Sequence, residues 1–432
     1  MRVVIGHRTD NREPVVLDSS DAINGHMTVF GASGTGKTYT LRRLIEQFAA
    51  DGSCKCHVFD SHGDLTIGGN KESSVKFSET SPVGINPFDI DPDPDFGGVR
   101  RQVSRFLSMV DRYSSPRLGV RQQAVLRNLL YDIYNSKGYL YSQPETWVLN
   151  GKQPPTLWDL KQFAEEKYQT LTLGGNSATF HSLELLSNKL FKLSRTFAGR
   201  TESSMDEEEI EELKDACRDK FNAFVDNLST GTEIKERQRY DNPEIIKSVL
   251  NRVDSLWHSG IFKKTRPSFS KSKSIWRYDI KSLSEGESGF LVETYLYKIF
   301  SRSKVRGIPS DASVIRDLIV IDESQRYLSP DPDHIINILM REARKYSIGL
   351  VLATQSFDMF SPDVLTNCGS KLVLGVDETQ QERLTRKLGL KANRLKAIRP
   401  QHTALVQIKT KTAQLSNDFV DVSLRHSHKS SG

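Results

Sequence analysis

The chain has 432 residues, of which 37% are hydrophobic and 26% are charged, and its formal net charge is +6. This composition fits a soluble globular protein with a polar surface, and the length predicts two or three structural units. No run approaches the roughly 20 apolar residues that a membrane-spanning helix needs, and no signal-peptide pattern begins the chain, so the sequence predicts a cytoplasmic location without an integral membrane segment. The mild positive charge permits a polyanionic partner but does not establish one.

The four cysteines, Cys54, Cys56, Cys217 and Cys368, are expected to be reduced in the cytosol. Cys54 and Cys56 stand next to His57, which superficially resembles a metal-ligand cluster. The usual zinc spacing is missing, however, and strand alternation would send Cys56 and His57 to opposite faces. Packing within a strand is therefore the favoured interpretation.

The first 25 residues are predicted to form a short β segment, which leads to a glycine-rich motif. Residues 31–38 read Gly-Ala-Ser-Gly-Thr-Gly-Lys-Thr and satisfy the P-loop pattern G-x-x-x-x-G-K-[ST]. An apolar stretch, residues 27–30, precedes the motif, and a helical pattern, residues 39–50, follows it. This context makes a chance glycine-rich turn a poor alternative. The predicted nucleotide-binding residues are Gly31, Ala32, Ser33, Gly34, Thr35, Gly36, Lys37 and Thr38.

Within this motif each residue type has a separate task. The glycines allow successive backbone N–H groups to point inward and surround phosphates. Lys37 is expected to reach the β- and γ-phosphates, and the Thr38 hydroxyl is expected to bind Mg²⁺. The motif therefore predicts binding of a nucleoside triphosphate, with ATP and Mg²⁺ as the expected ligands.

The middle of the chain is largely helical by pattern. Apolar residues recur every three or four positions in residues 100–113, 120–134, 156–168 and 243–258. Residues 206–212 contain six acidic side chains, which are typical of a solvated helix face or a loop. Residues 261–306 contain eleven Lys or Arg against four Asp or Glu; a solvated basic face and a contact with a phosphate backbone are equally open interpretations.

Short apolar strands alternate with helical patterns in the last third of the chain. The predicted strands are residues 318–321, 348–353, 371–375 and 403–408, with helices at 333–346 and 378–388. Such alternation predicts an α/β fold with a mostly parallel sheet that is covered on both faces. The helical block interrupts it and is predicted to be an inserted subdomain. The predicted limits are 1–25, a core of 26–98 with 270–425, a helical insertion of 99–269, and a tail of 426–432.

A second acidic motif follows the strand at residues 318–321. Asp322 and Glu323 come directly after this apolar run, which is the Walker B pattern. Strand carboxyl ends face the ligand crevice in parallel sheets, so Asp322 is expected near Mg²⁺ and the nucleotide, and Glu323 is expected to activate the attacking water as general base. A strand end in solvent is the structural alternative, but the intact P-loop favours hydrolysis.

Three further residues are candidates for catalysis. Gln355 ends the strand at 348–353, where an amide can sense the γ-phosphate or the attacking water. Arg341 and Arg344 lie just before that strand, and the planar guanidinium suits stabilisation of phosphoryl charge. A cationic helix end that complements its own dipole would explain one of these arginines without catalysis.

These motifs together resemble the HerA/FtsK superfamily of P-loop ATPases, closest to its HerA-like DNA translocase and helicase branch. The resemblance rests on residues 26–38, on 58–64, on Asn-Pro-Phe at 86–88, and on 321–323, 341–355 and 367–371. It covers roughly residues 20–90 and 275–410. It implies a RecA-like core in a ring, which is expected to be a hexamer, with ATP at the subunit interfaces and double-stranded DNA in the pore.

The resemblance also assigns roles by position. Lys37 and Thr38 match the nucleotide and Mg²⁺ ligands, Asp322 and Glu323 match the Walker B pair, and Gln355 matches the sensor. Arg341 or Arg344 would be the arginine finger that acts on a neighbouring subunit.

The resemblance leaves the partner and the biological role open. HerA proteins usually begin with a β-barrel that helps to dock a nuclease, whereas about 25 residues precede the P-loop strand here. Three functions remain: a translocase that works with a nuclease or a phage-defence effector, an ATPase of a conjugative or type IV secretion apparatus, and a nucleotide-gated scaffold of a defence complex.

Overall fold

The computed structural model describes residues 2–50, 52, 54–148, 150–173, 177–198, 207–227, 238–240, 242–311, 313–356, 358–411 and 418–424. Contacts divide the chain into two compact units, Met1–Ile85 with Lys263–Gly432 and Asn86–Phe262. In the described part of the chain, none of the helices has the length and apolar character needed to span a bilayer.

The first unit is built on one sheet of eleven strands. The strands are β1 Arg2–Arg8, β2 Pro14–Asp18, β3 Met27–Phe30, β4 Lys55–Asp60, β5 Glu72–Lys76, β6 Ile275–Asp279, β7 Asp317–Ile321, β8 Ile348–Thr354, β9 Ser370–Val373, β10 Thr403–Ile408 and β11 Val420–Ser423. Their order across the sheet is β2-β1-β11-β10-β9-β3-β8-β7-β4-β6-β5.

The sheet is parallel from β9 to β5 and antiparallel from β9 to β2. All residues of β3, β7 and β8 are buried, as expected for parallel strands that are covered on both faces. The predicted α/β fold with a mostly parallel sheet is confirmed. The strand at 403–408 differs from the expected parallel arrangement, because it pairs with β9 in the opposite direction, with Leu405 opposite Val373.

Helices of the first unit cover this sheet. Helix α1, Lys37–Ala50, begins within the P-loop and buries Leu41, Leu44, Ile45 and Phe48 in the core with β3 and β4. The other described α-helices of this unit are Glu285–Val305, Ile335–Glu342, Pro362–Asn367, Glu378–Leu388 and Ala392–Lys396.

The helix Glu285–Val305 was not among the predicted elements, although a local signal for it exists. Ser284 is its N-cap and accepts a hydrogen bond from Glu287 N, while the Glu287 carboxylate accepts one from Ser284 N at 2.8 Å. This reciprocal pair is a capping box, which the sequence shows as Ser-x-x-Glu.

The second unit is helical in its described part. Its helices are Val99–Tyr113, Val120–Ser136, Leu157–Leu173, Ser177–Ala198, Glu207–Asn227 and Pro243–His258. The domain limits differ from those drawn on the sequence, because the loop before residue 99 packs among these helices. Tyr134 Oη donates to Phe88 O at 2.8 Å, and the ring of Phe88 lies 4.7 Å from that of Phe106.

Candidate nucleotide site

The P-loop lies between β3 and α1, in the parallel part of the sheet. It is held to β8 and to the segment after β9, since Gly31 N donates to Thr354 O at 3.0 Å and Ala32 N donates to Gly375 O at 2.9 Å. Gly34 and Gly36 have φ angles of 78° and 93°, which lie in the left-handed region that glycine adopts without strain. The sequence therefore places glycine where the loop must turn its N–H groups inward.

An open cleft of about 1300 Å³ surrounds this loop. Most of the residues that the sequence assigns to the nucleotide line it, together with residues that no motif indicates. The lining residues are Ala32, Ser33, Gly34, Gly36, Lys37, Thr38, Tyr39, Thr40, Arg42, His62, Asp64, Glu323, Gln355, Gln401, His402 and Leu424.

Lys37 is buried and joins the P-loop to the acidic residues after β7. Its ammonium group forms an ion pair with the Glu323 carboxylate and lies 3.3 Å from Asp322 Oδ1. All three side chains are less than a tenth exposed. Buried charges are stable only when they are paired, and Lys37 provides the cationic partner of both carboxylates.

Glu323 is positioned by three donors. Its carboxylate accepts hydrogen bonds from Lys37, from the Gln325 amide and from Gln355 Nε2, the last at 2.7 Å. Burial would raise the pKa of Glu323, but these three hydrogen bonds outweigh it and hold the pKa below its ordinary value. The group is therefore ionised at neutral pH and can accept a proton.

Gln325 is a positioning residue that the sequence motifs do not indicate. Its Oε1 accepts a hydrogen bond from Thr354 Oγ1 at 2.7 Å, which orients its NH₂ group toward Glu323. Thr354 is the last residue of β8 and is fully buried. Thr354, at the end of β8, therefore positions the Glu323 carboxylate through Gln325. Gln355, the next residue after Thr354, contacts the same carboxylate directly.

Asp322 has an unusual environment for a carboxylate. Burial raises its pKa above the ordinary value, although Lys37 opposes the shift. One oxygen lies 3.2 Å from His62 Nδ1. The other, Oδ1, is buried and has no hydrogen-bond partner among the described residues, although Lys37 lies within ion-pair distance. An orphaned buried oxygen of this kind suits a hard cation.

The turn after β4 brings a further carboxylate to the same place. Thr38 Oγ1 donates to Asp64 Oδ2 at 3.1 Å, and Asp64 Oδ1 is buried without a hydrogen-bond partner among the described residues. Ligand atoms of Asp60, Asp64 and Asp322 lie within 4.8 Å of one another, as do those of His62, Asp322 and Glu323. The oxygen-rich set, with two unpartnered oxygens, fits Mg²⁺ next to Thr38 and Asp322.

Asp60 shapes that turn. Its carboxylate accepts hydrogen bonds from Gly63 N at 2.7 Å and Leu65 N at 3.1 Å, and it forms an ion pair with buried Arg277 at 3.0 Å. Arg277 also contacts Glu72 at 2.7 Å. Because these partners occupy both oxygens, Asp60 holds the turn that presents His62 and Asp64 to the cleft.

The structure does not bring the two candidate arginines into this cleft. Arg344 lies before β8 and lines a small cavity with Gly25 and Ile348, at the amino end of the strands. Gln355 follows the opposite end of β8, a strand of seven residues whose length corresponds to roughly 20 Å. Arg341 is exposed, and its Nη2 donates to Pro332 O at 2.8 Å. Neither guanidinium can therefore assist the P-loop of its own chain in this conformation.

Several cations of the basic segment have structural partners, and Arg277 is one of them through the ion pairs described above. Lys263 Nζ donates to Glu79 O at 3.2 Å, and Lys273 Nζ donates to Asn70 O at 2.7 Å. These contacts hold neighbouring loops together, so the structural interpretation accounts for both lysines. The contact of this segment with a phosphate backbone stays a prediction for the remaining cations.

Comparison with known proteins agrees with this geometry. Residues 3–96, which include the P-loop and the turn after β4, match the family described as helicase HerA, central domain. The DNA double-strand break repair helicase HerA of Sulfurisphaera tokodaii is 21% identical over 375 residues, which are 84% of this chain and 57% of that protein. These matches confirm the resemblance to the HerA/FtsK superfamily of P-loop ATPases that the motifs indicate.

Solved structures share this fold. VirB4 of Thermoanaerobacter pseudethanolicus has a TM-score of 0.65 at 14% identity, and the match covers 99% of this chain and 96% of that one. The bacterial conjugative coupling protein TrwBdeltaN70 has a TM-score of 0.51 at 13% identity, with 93% and 85% covered. At these identities the likeness establishes the fold. The chain spans 57% of the length of the curated helicase that it matches, so this match does not establish the substrates or partners of the chain.

Proposed function

We propose that this protein is an ATP-driven translocase or helicase of HerA type that acts on double-stranded DNA. The observation that carries the proposal is the buried set of Lys37, at the start of α1, with Asp322 and Glu323, which follow β7. Lys37 belongs to the region, residues 3–96, that matches the HerA central domain. A phosphate-binding loop, an ionised carboxylate and an oxygen-rich cation site are the groups that ATP hydrolysis requires.

Each residue has a distinct task in this proposal. The backbone of the P-loop binds the phosphates, and Lys37 donates to their oxygens. Thr38 and Asp322 would hold Mg²⁺, which neutralises charge on the phosphates when bound. Glu323 accepts a proton from water as the general base, and Gln355 holds the Glu323 carboxylate and orients that water.

The arginines fit a role across a subunit boundary. Because neither Arg341 nor Arg344 reaches the cleft of its own chain, a catalytic role requires the cleft of a neighbouring copy. We therefore propose a homo-oligomeric ring, expected to be a hexamer, in which one of these guanidinium groups completes the next site.

The fold leaves a second candidate function. It is shared with a bacterial conjugative coupling protein, so an ATPase of a conjugative or type IV secretion apparatus remains the alternative. The match of residues 3–96 to the HerA central domain favours the DNA translocase. A nuclease or defence effector as partner is proposed on the HerA resemblance alone. A nucleotide-gated scaffold in a defence complex is the third candidate, and it predicts slow turnover.

Turnover in the presence of duplex DNA tests the proposal. Purified chain should hydrolyse ATP faster with linear double-stranded DNA, because the translocase is expected to couple hydrolysis to movement along it. DNA affinity should fall steeply as salt rises, with a slope of about −0.9 in log–log form for each neutralised phosphate. The measurement is phosphate release at several salt concentrations, with affinity measured in parallel.

The other two functions give different results in this assay. A secretion ATPase should co-fractionate with membranes and respond little to free DNA. A scaffold should form rings yet keep slow turnover with or without DNA. Turnover that DNA leaves unchanged at low salt, where binding is measurable, would exclude the translocase.

A further inference from the structure

The cleft around the P-loop has a second wall, away from the hydrolytic residues. In the sheet β3 lies between β8 and β9, so Glu323 and Gln355 approach the loop from the β8 side. Gln401 and His402 precede β10, and Leu424 follows β11, so these three approach from the β9 side. The cleft therefore has a hydrolytic end and an opposite end.

The wall on the β9 side is fixed directly to the phosphate-binding loop. Gln401 N donates to Thr35 O at 3.1 Å, and Gln401 Nε2 donates to Gly34 O at 2.9 Å. Gln401 has a φ angle of 65°, a left-handed conformation that is uncommon for a residue other than glycine. Such a conformation persists where surrounding contacts impose it, and here the two bonds to the P-loop do so.

The same wall is also tied to α1. Leu424 N donates to His402 O at 2.8 Å, and Arg43 Nη1 donates to Leu424 O at 3.0 Å. Arg43 and Tyr39 are four residues apart on α1, so they lie on neighbouring turns of one face. The wall and the start of α1 thus form a preorganised end of the cleft.

Tyr39 lies on α1, beside this end of the cleft, and is exposed. It stands two residues after Lys37 in the first turn of α1, it lines the cleft, and 67% of its surface is accessible. A nucleotide whose terminal phosphate lies at Glu323 must leave the P-loop at the opposite end. Aromatic rings next to phosphate sites offer a face on which any base can stack.

We propose that Tyr39 and the wall of Gln401, His402 and Leu424 form the subsite for the nucleoside part of the bound nucleotide, with a purine base stacked on the Tyr39 ring. The inference rests on the proposed binding of ATP at the P-loop. Stacking tolerates different bases, so the subsite distinguishes nucleotides only weakly by their base and adds affinity beyond that of the phosphates.

Two ligands separate the nucleoside end from the phosphate end. Calorimetric titration of the full chain with the non-hydrolysable analogue AMP-PNP and with inorganic tripolyphosphate, both with Mg²⁺, measures each affinity. Tyr39→Ala should weaken AMP-PNP binding by at least about fivefold, the lower end for loss of a stacked base. Its tripolyphosphate affinity should stay within about twofold of wild type. Tyr39→Phe, which keeps the ring, should bind both ligands like wild type.

Other outcomes overturn the subsite in distinguishable ways. Equal weakening of both ligands by Tyr39→Ala would mean that Tyr39 supports the P-loop instead of the nucleoside. Unchanged binding of AMP-PNP would exclude stacking. Equal affinity of wild type for the two ligands would leave phosphate binding intact and remove the nucleoside subsite. Failure of wild type to bind either ligand would remove the proposed function and the subsite together.

Discussion

Replacement of Glu323 by glutamine is expected to lower the rate of ATP hydrolysis by about 10²–10⁴-fold, the usual contribution of a positioned general base. ATP affinity should be retained or increased, because the change removes one negative charge from the phosphate site and keeps the side-chain shape. Hydrolysis should slow because Glu323 is the proton acceptor: three hydrogen-bond donors keep its carboxylate ionised although burial opposes ionisation. The measurement is single-turnover hydrolysis together with equilibrium binding of ATP.

Glu378→Gln is the matched control for this change. Glu378 is exposed in the first turn of the helix Glu378–Leu388, so its turnover should equal that of wild type. Hydrolysis at the wild-type rate by Glu323→Gln would show that another group accepts the proton, and the assignment of Glu323 would fall.

Replacement of Lys37 by alanine is expected to abolish measurable hydrolysis, with a loss of about 10²–10³-fold for the missing donor to charged oxygens alone. ATP binding should weaken as well. The change also leaves Asp322 and Glu323 buried without their cation, and removal of one partner of a buried pair costs about 3–5 kcal/mol. Thermal unfolding and nucleotide titration of the same preparation measure both effects.

The exposed lysine Lys71 provides the control, because Lys71→Ala removes an equal charge away from the cleft lining. Normal ATP turnover by folded Lys37→Ala would contradict the whole catalytic scheme.

The same variant tests the arginines. Rings mixed from Lys37→Ala copies and either Arg341→Ala or Arg344→Ala copies should regain turnover for the arginine that acts on a neighbour. If neither mixture regains it in rings shown to be mixed, sharing of sites between copies is unsupported.

The sequence predicts the catalytic residues of this site better than the residues that surround and position them. The P-loop and the Walker B pair are local patterns whose spacing is set by phosphate and strand geometry, so Lys37, Asp322 and Glu323 could be placed together in advance. Gln325 and Gln401 carry no such pattern. Gln325 reaches Glu323 only because Thr354 orients it, and Gln401 reaches the P-loop only because β10 lies on the far side of β9. Those contacts depend on the order of the strands in the sheet, which no local sequence pattern indicates.

The fold shows the same division between local and non-local information. The strands β7 and β8 could be predicted from the sequence, because strands that are covered on both faces form continuous apolar runs. β5 is the edge strand and β6 lies beside it, and both mix charged with apolar residues, so their pattern is weaker. Arg277 in β6 is buried together with its ion-pair partners, which no local pattern reveals. The antiparallel direction of β10 likewise depends on its pairing with β9, which its own residues do not reveal.

Movement along DNA is the central claim of this account, and displacement of streptavidin from end-biotinylated duplex DNA measures it most directly. With ATP and Mg²⁺, wild type should displace streptavidin, and the rate should fall to background with AMP-PNP or in Glu323→Gln, which still binds ATP. Hydrolysis stimulated by DNA without any ATP-dependent displacement, or displacement by Glu323→Gln at the wild-type rate, would contradict the claim.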